Sequence, residues 1–238
     1  MSILRNINTL LDDQFKNHDY LPQRLLLEDL DMGAFEFIKS LEITLFNGID
    51  NQKVPVIWLN QERWAEFRNN WQFLRDEGGK EITMPFLTMR RVGVKQGEHP
   101  LKRFTIPGDY KKHFTFLKVP IYEGNQKAYD LYKIPQPSRV DVEYELRFFS
   151  HYMQHTNVVY ETILSTAFSS GQAYLNVNGH YTFLDLGSLS EDSNEDDIAA
   201  DRRFQIICPM VLHGKIVDPT KFTKEKVITK IQLNITES

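Results

Sequence analysis

From Val140 to Phe148 the chain alternates without a break: Val140, Val142, Tyr144, Leu146 and Phe148 against Asp141, Glu143, Glu145 and Arg147. A period of two sends successive side chains to opposite sides of an extended backbone. The stretch therefore predicts a strand with one apolar face to bury and one charged face turned to solvent or a partner. A slip of one residue would exchange the two faces, so a sheet built on this strand has its register fixed. An aromatic cluster, "FFSHY", follows, and then a helix from about His155 in which Val159, Ile163 and Ala167 share a face. That helix is expected to cover the strand's apolar side.

The flanking sequence supplies further elements. "MGAFEFIKS" (32–40) predicts a helix carrying Phe35 and Ile38, and "LEITLFNGID" (41–50) alternates into the turn pair Asn47-Gly48. "KVPVIWL" (53–59) reads as a strand whose Pro55 suits an edge or an end. Residues 60–79 predict a helix with Trp64, Phe67, Trp71 and Leu74 on one stripe, closed by Gly78-Gly79. "KEITMPFLTMRRVGVK" (80–95) is extended. Residues 96–135 read as a long contact loop with a hairpin inside "HFTFLKVPIYE" (113–123). "YLNVNGHYTFLDL" (174–186) predicts a hairpin about Asn178-Gly179. An acidic loop (191–201) precedes a strand alternating over Phe204, Ile206 and Cys208. The tail from Lys226 to Ser238 sets Ile231, Leu233 and Ile235 on one side, and would either pair with its own sheet or lend a strand to a neighbour. The expected architecture is α+β: a mainly antiparallel sheet flanked by helices, with an arm (1–31), a main domain (32–219) and an extended tail (220–238).

Composition narrows the function. With 41% hydrophobic and 25% charged residues in 238, the chain reads as globular, and 16 Phe, 10 Tyr and 3 Trp suit a thick core or extensive interfaces. A formal net charge of −4 argues against gripping nucleic acid by its backbone. No apolar run is long enough to span a bilayer, and the opening "MSILRNINTLLDDQF" carries acidic residues too early and lacks a cleavage site, so no signal peptide is expected. The one cysteine, Cys208, lies in the apolar run "FQIICPMVL" and reads as a small buried hydrophobe. His151 and His155 stand four apart, but the metalloprotease glutamate is missing and His151 falls at a strand end. Glu143 and Glu145 share a strand face with no sign of a cleft. The phosphate-loop, dinucleotide, G-x-S-x-G and EF-hand patterns are absent. The sequence thus predicts no catalytic residue, cofactor or metal, and a non-enzymatic protein. An enzyme with an unrecognised site is the alternative from another class.

Four blocks carry a family resemblance. "KVPVIWLNQERWAEF", "EITMPFLTM", "PQPSRVDVEYELRFFSHY" with the following "VVYETIL", and "ADRRFQIICPMVLHGKIVDP" occur in this order over roughly residues 35–219. Together they resemble the tail terminator proteins of tailed bacteriophages, in particular the tail sheath stabiliser and completion (neck) proteins of T-even-type contractile-tailed phages. The chain departs from the pattern at "VLHG", in the unmatched arm and in the 96–135 excursion. A neck ring of a short-tailed phage is the nearest alternative.

The resemblance implies a tail-terminator-like α+β subunit with extended loops and arms, assembling as a homo-hexameric ring. Such a ring, assembled in the host cytoplasm and carried in the virion, would cap the tail tube and sheath. It would meet the neck and head-connector proteins, and pass genomic DNA through its lumen without binding it. In that setting Asp141, Glu143, Glu145 and Arg147 are expected to line the ring or contact a neighbour, forming a mostly acidic lining that repels DNA. Arg202 and Arg203 are expected to pair with carboxylates, either across the subunit boundary or within the subunit. The tail bearing Ile231 and Leu233 is the candidate for strand exchange.

Overall fold

The computed structural model describes residues 21–46, 50–60, 83–97, 114–123, 126–191 and 204–225. The chain divides into two compact units. One is Leu26–His99 with Arg139–Lys215; the other is Met1–Leu25 with Pro100–Ser138 and Ile216–Ser238. The cut differs from the expected arm, domain and tail, because residues 27–31 are helical and belong with the main unit, while the 100–138 excursion belongs with both ends of the chain.

The main unit is built on a seven-stranded sheet. Its path is β3 (Val56–Trp58), β4 (Phe86–Gln96), β7 (Ser138–Ser150), β11 (Phe204–Ile216), β9 (His180–Leu186) and β8 (Gln172–Val177), with the short β10 (Ser190–Glu191) paired to β11. β3 runs parallel to β4; the pairings β4–β7, β11–β9, β9–β8 and β10–β11 are antiparallel. β3 is an edge, where Pro55 just ahead of it costs no ladder bond. β8 and β9 meet at Asn178 and Gly179, whose positive φ of 49° and 74° supply the mirror-image turn a tight hairpin needs. A small separate pair, β1 (Thr44–Phe46) and β2 (Asn51–Lys53), precedes β3.

The apolar residues of β7 are all buried, as are Ile206, Cys208, Met210 and Leu212 of β11. Helix α1 (Leu27–Ser40) crosses this face, burying Leu30, Ala34 and Ile38. It lies close: a Cβ on Gly33 would stand 2.5 Å from Val177 of β8, and one on Gly214 of β11 would stand 2.8 Å from Leu30. The Tyr144 hydroxyl donates to Asp31 Oδ1 at 2.8 Å, and Arg91 donates to Oδ2 at 2.7 Å. Burial raises the Asp31 carboxyl above its usual range, although the Tyr144 hydrogen bond and the Arg91 charge pull the other way. Trp58 packs edge-on against both Tyr144 and Phe35. Thus α1 lies on the apolar face of the strand, the face that the sequence assigned to the later helix. α1 starts at Leu27, five residues ahead of expectation, and Asp29 accepts a hydrogen bond from the Leu26 N–H at its entry.

The later helix, α2 (Met153–Thr162), starts two residues before His155 and continues as one π-helical turn, Ile163–Ala167. It buries Val159 and then Ile163, while Ala167 lies only half buried.

The second unit holds a three-stranded sheet in the order β12 (Thr223–Glu225), β6 (Gln126–Pro135), β5 (Phe114–Glu123). The 96–135 excursion is therefore not mainly a loop. "FTFLKVPIYE" is one strand rather than a hairpin, and its partner is the segment that follows it. The helix predicted over 60–79 beyond Asn60, the acidic loop beyond Glu191 and the tail beyond Glu225 lie outside the described residues.

Candidate functional site: the charged face of the larger sheet

The face of the larger sheet opposite α1 carries the four β7 residues singled out in the sequence. Asp141, Glu143, Glu145 and Arg147 are all half buried. Register sets Lys95, Gly93, Arg90 and Thr88 of β4 against them in that order. This alignment depends on a β-bulge. Pairing skips Val92 between Arg91 and Gly93, so Arg90 before the bulge and Lys95 after it face the same side.

Each carboxylate of β7 has a cationic or imidazole partner. Arg90 Nε donates to Glu145 Oε1 at 2.8 Å, and Arg147 Nε donates to the same oxygen at 2.6 Å. Burial alone would raise Glu145, but the hydrogen bonds and charges of the two arginines outweigh it and hold the carboxyl below its usual range. Lys95 Nζ donates to Glu143 Oε1 at 2.5 Å, and that bond and charge hold the ammonium above the ordinary lysine range.

Asp141 meets His213 of β11, with Nδ1 2.7 Å from Asp141 Oδ1. The other ring nitrogen, Nε2, lies 3.1 Å from Asp185 Oδ2 of β9, and the ring stacks on Phe183 with centroids 4.6 Å apart. A neutral imidazole donates from one nitrogen only, so both contacts are hydrogen bonds when the ring is doubly protonated. One side chain thereby ties β7, β11 and β9 together. Further along β11, burial lowers the pKa of Lys215, which has no ion partner among the described residues. At the β8–β9 end the face becomes aromatic: Tyr174 and Tyr181 are 73% and 80% exposed.

The structure thus brings together Asp141, Glu143, Glu145 and Arg147 on one face, and sets cationic side chains beside them. Arg90 and Arg147 pair with Glu145, Lys95 pairs with Glu143, and the His213 ring lies between Asp141 and Asp185, so cations and an imidazole are set among the carboxylates of this face. The strand's own sequence hides this, because three of those partners come from β4 and β11. "TMRRVGVK" contains the cations, but the bulge breaks the alternation that would have assigned them a side. Arg202, Arg203, Ile231 and Leu233 lie outside the described residues.

Other candidates resolve simply. His151 stands in the turn before α2, whereas His155 is in its first turn with Nδ1 3.0 Å from Ser150 Oγ, so the two do not share a helical face. Among the described residues no three His, Cys, Asp or Glu side chains converge as a metal site. Cys208 is buried, and burial pushes its thiol up to about 12. No helix among the described residues is long and apolar enough to cross a membrane. Half-buried ion pairs bordered by exposed tyrosines form a surface suited to macromolecular contact, where charge complementarity sets register and aromatics supply area. Comparison with family models and with curated proteins finds no match.

Proposed function

We propose that the chain is a non-enzymatic structural protein of a tailed-phage virion. In this reading it is a subunit of a homo-hexameric ring at the junction of tail and neck, capping the tube and sheath and joining them to the head. One observation carries the reading. The four stretches that resemble the terminator family supply β3, β4, β7 and β11, and these are consecutive neighbours across one sheet. Segments far apart in sequence thus resemble the family where they build a single continuous surface. The ion-paired face of β4, β7 and β11 adds chemistry that suits subunit or partner contact rather than turnover.

The test is native mass, by light scattering or native mass spectrometry, of the protein alone and with tail-tube or sheath material. A six-subunit species in either sample is the expected result. A strict monomer that ignores tail components overturns the proposal.

A further inference from the structure

β8 is the terminal strand of the larger sheet, and among the described residues no strand pairs with its far edge. Exposed edges are commonly blunted by proline, lysine, a bulge or brevity. β8 reads Gln-Ala-Tyr-Leu-Asn-Val, carries no charge, and pairs with β9 residue for residue along its length. The other edges do carry such devices: β3 has three residues behind Pro55, β12 has three with a lysine among them, and β5 contains Lys118 and Pro120. β8 also alternates cleanly, with Ala173, Leu175 and Val177 buried and Gln172, Tyr174 and Asn176 exposed. An added strand would find its phase specified. Apolar contact is already on offer beside it, because Gly33 of α1 lies against Val177 and the adjacent Met32 is 58% exposed.

The C-terminal stretch has the matching pattern, Ile231, Leu233 and Ile235 alternating with Lys230, Gln232 and Asn234. The β6 edge that β12 occupies is too short to take all of it. β12 runs antiparallel to β6, with Thr223 opposite Lys133 and Glu225 opposite Leu131. Each further step would meet one residue earlier in β6, which begins at Gln126, so that edge is used up at Lys230. The alternating apolar part starts at the next residue.

We infer that residues 231–235 of one copy add as a strand to the β8 edge of a second copy, with Ile231, Leu233 and Ile235 continuing the face of Ala173, Leu175 and Val177. Main-chain bonds hold the strand, and the alternating side chains select it. The inference rests on the self-association in the proposed function and not on what the assembly caps.

Engineered thiols test it, since the one native cysteine is buried. One population of full chains carries Tyr174→Cys or Asn176→Cys, and a second carries Gln232→Cys or Asn234→Cys. These positions share the exposed side of the proposed pair, and a disulfide needs Cα atoms within about 7 Å. Linked dimers in at least one mixture, and in neither population alone, are expected. In a second measurement, the full chain with Ile231→Lys and Leu233→Lys should keep its circular dichroism and thermal unfolding, while its association midpoint moves about tenfold or more to higher concentration.

If the unmodified chain associates, no mixture cross-links and the lysine variant associates normally, the strand addition is wrong and the ring reading stands. If the unmodified chain stays monomeric even on tail components, both fall. A disulfide within single dilute chains carrying both Asn176→Cys and Gln232→Cys would seat the tail on its own β8 and overturn exchange between copies.

Discussion

Glu145 accepts from two arginines through one oxygen, and that arrangement makes its ionised form part of the fold. Its pKa is lower in the folded protein than the unperturbed 4.5, so its contribution is fully present above that value and is lost as pH falls through the folded pKa. Glu145→Gln should therefore cost about 1–2 kcal/mol near neutral pH, the scale of a partly exposed charge-assisted hydrogen bond. The cost should shrink as pH drops below the carboxylate range. Urea unfolding of both proteins across that range checks it; a pH-independent difference would mean that the carboxylate charge is not what matters. The residues of this site were half legible. Alternation in β7 identified Asp141, Glu143, Glu145 and Arg147 as one face, whereas Lys95, Asp185 and His213 reach that face only through cross-strand register, which a linear pattern does not encode.

Elements with strong periodicity were read most accurately. β7 and the β8–β9 hairpin stand where alternation and the Asn178-Gly179 pair put them, and β4 (Phe86–Gln96) overlaps the stretch 80–95 read simply as extended. β6 was missed because "QKAYDLYKIP" mixes charged and aromatic residues with no clean phase, and its partner strand was read as a complete hairpin. The early start of α1 was missed because "LEDLD" is acidic, a composition suited to a helix N-terminus but equally to a loop. At this scale Gly33 is decisive, since it lets α1 descend onto Val177. Gly33→Leu should lower stability by about 2–3 kcal/mol through overpacking, despite leucine's better helix propensity. Chemical denaturation measures it, and a neutral result would mean that α1 can lift from the sheet at little cost.

For the whole molecule, net charge decides the relation to DNA. A chain at −4 whose described sheet face already pairs Arg90, Lys95 and Arg147 with carboxylates is poorly suited to displace phosphate counterions. Fluorescence anisotropy with duplex DNA at physiological salt should show no binding; micromolar affinity would count against the expectation that DNA passes through the ring without being bound. The topology carries a kinetic consequence as well. Along the centre of the sheet, Phe86 meets Phe149 and Gln96 meets Val140, each pairing closing a loop of several tens of residues, whereas β8–β9 closes across the two-residue turn Asn178-Gly179. Long loops must close before their contacts repay the lost entropy, so such a sheet matures slowly from its local hairpin outward. The open edge of β8 is then one of the first surfaces made and among the last with all its neighbours in place. Newly made chains are most adhesive just before they are complete, and the speed of intramolecular closure sets how many reach partnership as finished subunits.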